Sequence, residues 1–82
     1  MENVFTGFAD AMYEKNGYLV VEATVEKENI DCNKEHLNWL LNKTWGKEYG
    51  VRRAVKKSPA DDASWITVKF FTNLPYNLFD AK

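Results

Sequence analysis

Apolar residues recur along this chain with two different periods, and the change from one to the other divides it into elements. From Tyr18 to Glu26 they alternate. Leu19, Val21, Ala23 and Val25 share one face and Tyr18, Val20, Glu22, Thr24 and Glu26 the other, as in a strand with one buried side. From Asn33 to Gly46 the period lengthens to that of a helix. At about 100° per residue, Leu37, Leu40, Leu41, Thr44 and Trp45 fall in one arc, while Trp39 points away, flanked by His36, Lys43 and Lys47. Asp31 or Asn33 is placed to cap the first turn, and Gly46 or Gly50 to end the last.

Alternation resumes in Tyr49–Lys57, with Tyr49, Val51, Arg53 and Val55 against Arg52, Ala54 and Lys56. Here Arg53 is expected near a sheet rim. Ser64–Thr72 is the clearest strand: Ile66, Val68 and Phe70 form one face, and Trp65, Thr67, Lys69 and Phe71 the other. The intervening SPADDAS run, with a proline, paired aspartates and small residues, reads as an exposed loop. The tail from Asn73 is too apolar to float and is expected to dock over a sheet edge or a helix face.

Residues 2–15 fit two patterns. Phe5, Phe8, Ala9, Met12 and Tyr13 recur at helical spacing, and the residue types favour a helix ending at Gly17. Asn16-Gly17 is equally a two-residue hairpin signal. The fold class is therefore α+β. The chain predicts one small domain, residues 1–82, with a three- or four-stranded antiparallel sheet, a central helix over about 33–46 on one face, and an N-terminal helix or hairpin. Leu19, Val21, Val25, Val51, Val55, Ile66, Val68 and Phe70 are the expected sheet contribution to the core.

Composition changes this picture in two respects. Eighty-two residues are few for a stable core, and an aromatic content of 15% compensates, since each ring buries a large area. A single cysteine, Cys32, excludes an intramolecular disulfide framework. With no long apolar run and no secretory pattern at the start, a membrane span is not expected and a cytoplasmic location is.

The net charge of −1 conceals an asymmetry. Residues 1–31 hold seven acidic side chains against Lys15 and Lys27, giving −5. Residues 32–57 hold Lys34, Lys43, Lys47, Arg52, Arg53, Lys56 and Lys57 against Glu35 and Glu48, giving +5. Opposite halves that neutralise each other across the fold explain this, and so does a basic patch that meets a partner.

Two surfaces follow. Trp39 with His36, Lys43 and Lys47 has the character of a protein-interface anchor, unless the tail or a second copy of the chain covers it. The sheet face away from the helix is expected to carry Arg52, Lys56, Trp65, Lys69 and Phe71, the mixture of cations and rings that binds single-stranded nucleic acid. It lacks every recognised nucleic-acid motif. Cys32 and His36 stand four residues apart, as a nucleophile and base would, but no third group or oxyanion motif accompanies them.

No catalytic residue, cofactor or metal is expected: the ligand set for structural zinc, the calcium-loop spacing and the phosphate-cradling glycines are all missing. The leading functional reading is a non-enzymatic regulator or inhibitor that binds a larger protein through the helix face and the adjoining basic region. Nucleic-acid binding on the sheet face is the alternative.

Overall fold

The Asn16-Gly17 pair decides the first element. Both residues have positive φ, 56° and 90°, the geometry of a type I′ turn, whose twist matches that of the strands it joins. Residues 11–26 accordingly form a hairpin, the second of the two patterns, and the helix favoured for this segment is corrected. The Glu14 carboxylate accepts the Gly17 N–H across the turn. Helical spacing was overruled by pairing: each residue from Ala11 to Lys15 meets a partner on the next strand.

The computed structural model describes residues 7–57 and 64–81. In chain order they form β1 (Ala11–Lys15), β2 (Tyr18–Glu26), a 3-10 turn (Lys27–Asn29), α1 (Ile30–Trp45), β3 (Val51–Lys56), β4 (Trp65–Pro75) and α2 (Tyr76–Ala81). The strands make one antiparallel sheet in the order β1-β2-β4-β3. β2, α1 and β3 thus form a crossover between two parallel-running strands, with β4 inserted between them. The run expected to be an exposed loop falls at residues 58–64, almost wholly outside the described residues.

α1 begins three residues earlier than its apolar period indicates and ends one earlier. Asn29 occupies the N-cap without a side-chain capping bond, so neither Asp31 nor Asn33 caps the helix. The 3-10 turn feeds directly into α1, and Asn33 Nδ2 instead donates to the Asn29 carbonyl at 2.7 Å. At the other end Gly46 donates its N–H to the Asn42 carbonyl and stops the helix.

The core lies between α1 and one sheet face. Leu37 and Leu41 of α1 meet Leu19, Val21, Ala23 and Val25 of β2 and Ile66, Val68, Phe70 and Leu74 of β4. Complete burial of one such large side chain contributes about 1.5–3 kcal/mol. The tail closes one end of this layer, with the ring of Phe79 in α2 6.0 Å from that of Trp45. Where the β2–β4 register shifts between Tyr18 and Val20, the buried Thr72 hydroxyl donates to the Leu19 carbonyl at 2.8 Å. That bond satisfies an acceptor the irregular ladder would otherwise strand.

β3 departs from the expected phase. A bulge between Val51 and Arg53 places Val51 opposite Thr72 but Arg53 opposite Phe71. Every later residue therefore turns over. Ala54 and Lys56 lie on the helix side, opposite Phe70 and Val68, while Arg53 and Val55 lie on the open side. Val55 is thus not part of the helix-facing core, and Arg52 and Lys56 are not on the open face with Trp65, Lys69 and Phe71.

Three asparagines hold the segment leading into β3, two against α1 and one, Asn73, against β4. Asn38 Oδ1 accepts the Val51 N–H at 2.8 Å, and Asn42 Nδ2 donates to the Tyr49 carbonyl. Asn73 Oδ1 accepts the Gly50 N–H at 2.8 Å while its Nδ2 donates to the Glu48 carbonyl at 2.8 Å. A Cβ on the buried Gly50 would overlap Asn38 Oδ1. Gly50→Ala is therefore expected to destabilise the fold by about 1–3 kcal/mol, read as a lower urea midpoint with an unchanged denaturant slope.

Candidate functional site

The outer stripe of α1 follows from its period: Cys32, His36, Trp39 and Lys43 lie within about 60° of one another around the helix axis. Trp39 is 53% exposed. Its ring is nevertheless held. Lys43 Nζ lies 4.6 Å from the ring centroid, a cation–π pair worth about 0.5–1 kcal/mol at an exposed position. On the other side His36 stacks at 6.1 Å with 25° between the planes. Phe8 continues the series, its centroid 5.9 Å from His36 and 6.2 Å from the fully buried Phe70. A row of rings thus runs from the core to the surface and ends at Trp39. The tail does not cover it, because Phe79 packs on Trp45 at the inner side of α1.

The adjoining cations lie along one flank of the helix. Lys47 and Arg52 line a shallow cavity of about 360 Å³ together with Asn38 and Asn42 of α1. Arg52 projects from the β3 bulge, and its guanidinium donates to the Glu48 carbonyl at 3.3 Å. Lys56 is exposed on the helix side of the sheet rim.

The open sheet face carries a different set from the one expected. Trp65, Lys69 and Phe71 are present, and they are joined by Tyr13 and Lys15 of β1, Glu22 of β2 and Arg53 of β3. The Arg53 guanidinium lies 4.2 Å from the Phe71 centroid, with Lys15 Nζ at 5.8 Å. Val20, between Tyr13 and Phe71 in the ladder, is 1% exposed although it faces this side. Trp65, at the end of β4, is 57% exposed. Glu22 was placed on this face by the alternation of β2, whereas Tyr13, Lys15, Arg53 and Phe8 all escaped the sequence reading as site residues. The hairpin signal could have found Tyr13 and Lys15. Arg53 depends on the bulge and Phe8 on tertiary packing, and neither has a local signature.

Glu22 is the electrostatic centre of that face. Its carboxylate accepts the Tyr13 hydroxyl at 2.6 Å and pairs with Lys57 Nζ at 3.5 Å. The Tyr13 phenol is pushed up to about 12, first by burial and then by the bond to Glu22. The Glu22 carboxyl is held below its ordinary value, chiefly by the Tyr13 hydrogen bond and then by Lys57 and Lys69, against an opposing desolvation.

Cys32 is free and exposed. It shares the outer stripe with His36, whose ring is engaged with Phe8 and Trp39. Among the described residues no three His, Cys, Asp or Glu side chains converge as a metal-ligand set, and no helix is long and apolar enough to cross a membrane. Comparison with protein-family models, curated proteins and solved structures finds no match.

The Tyr13–Glu22 pair has a measurable signature at both ends of the pH scale. An unfolded tyrosine ionises near pH 10, roughly, whereas the folded phenol keeps its proton to about 12. The native state binds more protons in that window, so stability falls as pH rises through it. At the acid end the contribution of ionised Glu22 is present above its unfolded pKa and is lost as pH falls through its depressed folded value. Tyr13→Phe is expected to remove the alkaline loss and to move the Glu22 titration, followed by carboxyl carbon NMR, upward toward the ordinary range.

Proposed function

We propose that this protein is a non-catalytic regulator or inhibitor that docks on a larger protein through the outer face of α1, with Trp39 as the anchor and Lys43, Lys47 and Arg52 as its basic border. The observation that carries the reading is the state of Trp39: exposed, yet braced between His36 and Lys43 on a row of rings rooted in the core. Tryptophan is among the residues most enriched at interface hot spots. A ring already fixed in one pose loses little freedom on binding, which lowers the cost of association. The free, exposed Cys32 suits a reducing compartment, in keeping with action in the cytoplasm.

The nucleic-acid reading rests on fewer residues than its sequence pattern offered. Trp65, Lys69 and Phe71 face the open side, but Arg52 and Lys56 do not. Arg53 already occupies the Phe71 ring, and the Glu22 carboxylate in mid-sheet opposes a phosphate backbone.

Immobilised protein and its Trp39→Ala variant, each exposed to host lysate with and without nuclease, separate the two readings. The expected result is a protein species that survives nuclease and is lost with Trp39→Ala, whose purified complex is weakened by about 2 kcal/mol or more. Stability of the variant should fall by about 1 kcal/mol, the loss of the Lys43 pair, and the fold should remain intact. Retention unaffected by Trp39→Ala removes α1 from the site, and nuclease-sensitive retention transfers the function to the sheet face. Dimerisation abolished by the same substitution would identify the partner as a second copy of the chain.

A further inference from the structure

β3 ends the sheet, and among the described residues no strand pairs with its outer side. The direction of its free backbone groups follows from a single bond. Lys57 donates its N–H to the Thr67 carbonyl of β4 at 2.9 Å. Successive strand residues present their backbone groups to opposite sides, so Val55 also turns toward β4. Ala54 and Lys56 direct their N–H and C=O groups outward.

Beside that edge lies a groove. α1 runs antiparallel to β3, because α1 forms the return leg of the crossover. Between helix and strand are the cavity beside Lys47 and Arg52 and a second, of about 330 Å³, bounded by Asp31, Lys34 and Glu35 of α1 and by Val51. Asn38 borders both. The helix forms one wall of this groove, and Val51 and Arg52 at the start of β3 with the residues just before them form the other.

The charge of the edge restricts what can lie there. Arg52, Arg53, Lys56 and Lys57 follow one another with only Ala54 and Val55 between them, and the strand has no acidic residue. A second copy of β3 paired on the same edge would set cations opposite cations, which destabilises a ladder, and such charges are a usual guard against self-pairing. The same charges favour an extended strand of opposite sign.

We propose that the outer edge of β3 takes an extended acidic peptide segment of a partner protein by strand addition, with Ala54 and Lys56 supplying the backbone bonds and Arg52 and Lys56 meeting its carboxylates. Backbone bonds provide affinity in this mode and the flanking side chains provide selectivity. The surface shares Arg52 with the basic border of the α1 face but does not include Trp39, so Trp39→Ala distinguishes the failure of one reading from the failure of the other.

The probe is a capped heptapeptide alternating glutamate and valine, titrated into the isotopically labelled protein. The largest amide shifts are expected at β3, with slowed hydrogen exchange at the Ala54 and Lys56 N–H groups. Binding should weaken with salt and fall about tenfold or more when Arg52→Glu and Lys56→Glu are combined. Trp39→Ala should leave it unchanged. An N-methylated peptide, which cannot complete the ladder, tests the same point without altering the protein and should fail to bind. The proposal is overturned by equal binding of the N-methylated peptide, by equal binding of an alternating lysine–valine peptide, by shifts centred on another face, or by no shifts up to the solubility of the probe.

Discussion

The burial of Phe70 is the contact on which the remaining structure depends. Phe70 sits in the middle of β4, the strand flanked on both sides, and is fully buried beneath α1. It aligns three things at once: the sheet against the helix, the bulged strand β3 through its pairing with Ala54, and the segment before β1 through the ring of Phe8. In a chain of this length one layer of core must suffice. A ring at its centre therefore also determines how the outer aromatics are supported, since Phe8, His36 and Trp39 are stacked outward from it.

The single layer leaves the other face of the sheet to satisfy itself. It does so with side chains rather than with a second layer of helix. Tyr13 and Phe71 flank Val20 in the ladder, Lys15 and Arg53 lie over the Phe71 ring, and the carboxylate of Glu22 collects the phenol and Lys57. Cations stacked on a ring and a carboxylate bonded to a phenol are both compatible with water on one side. Among the described residues the face is thus finished without being covered.

Elements with strong periodicity were legible in the sequence. The alternation of β2 and β4 and the inner stripe Leu37, Leu40, Leu41 and Trp45 of α1 were readable because burial on one side imposes a regular repeat. The outward position of Trp39 between His36 and Lys43 followed from the same geometry. The N-terminal strand was half legible: Asn16-Gly17 signals its hairpin, but its residue types suit a helix and only pairing with β2 overrides them. The reversal of Val55 and Arg53 was not legible, because a bulge changes phase without changing composition. The faces of residues in the regular helix were therefore legible, whereas those of residues in the irregular edge strand were not.

That bulge also bears on how the fold tolerates a change of length. A residue gained in the middle of a sheet disturbs two ladders, whereas in β3 it disturbs one, and Arg52 is simply extruded. Edge strands are accordingly where a small fold can absorb changes of length while its core sequence stands still. The extruded Arg52 can change its surface chemistry without disturbing the helix or the central strands, whereas Ala54, which packs on the core opposite Phe70, cannot. In this domain the bulged edge strand is also the most highly charged one, so its exposed positions can vary at little expense to folding.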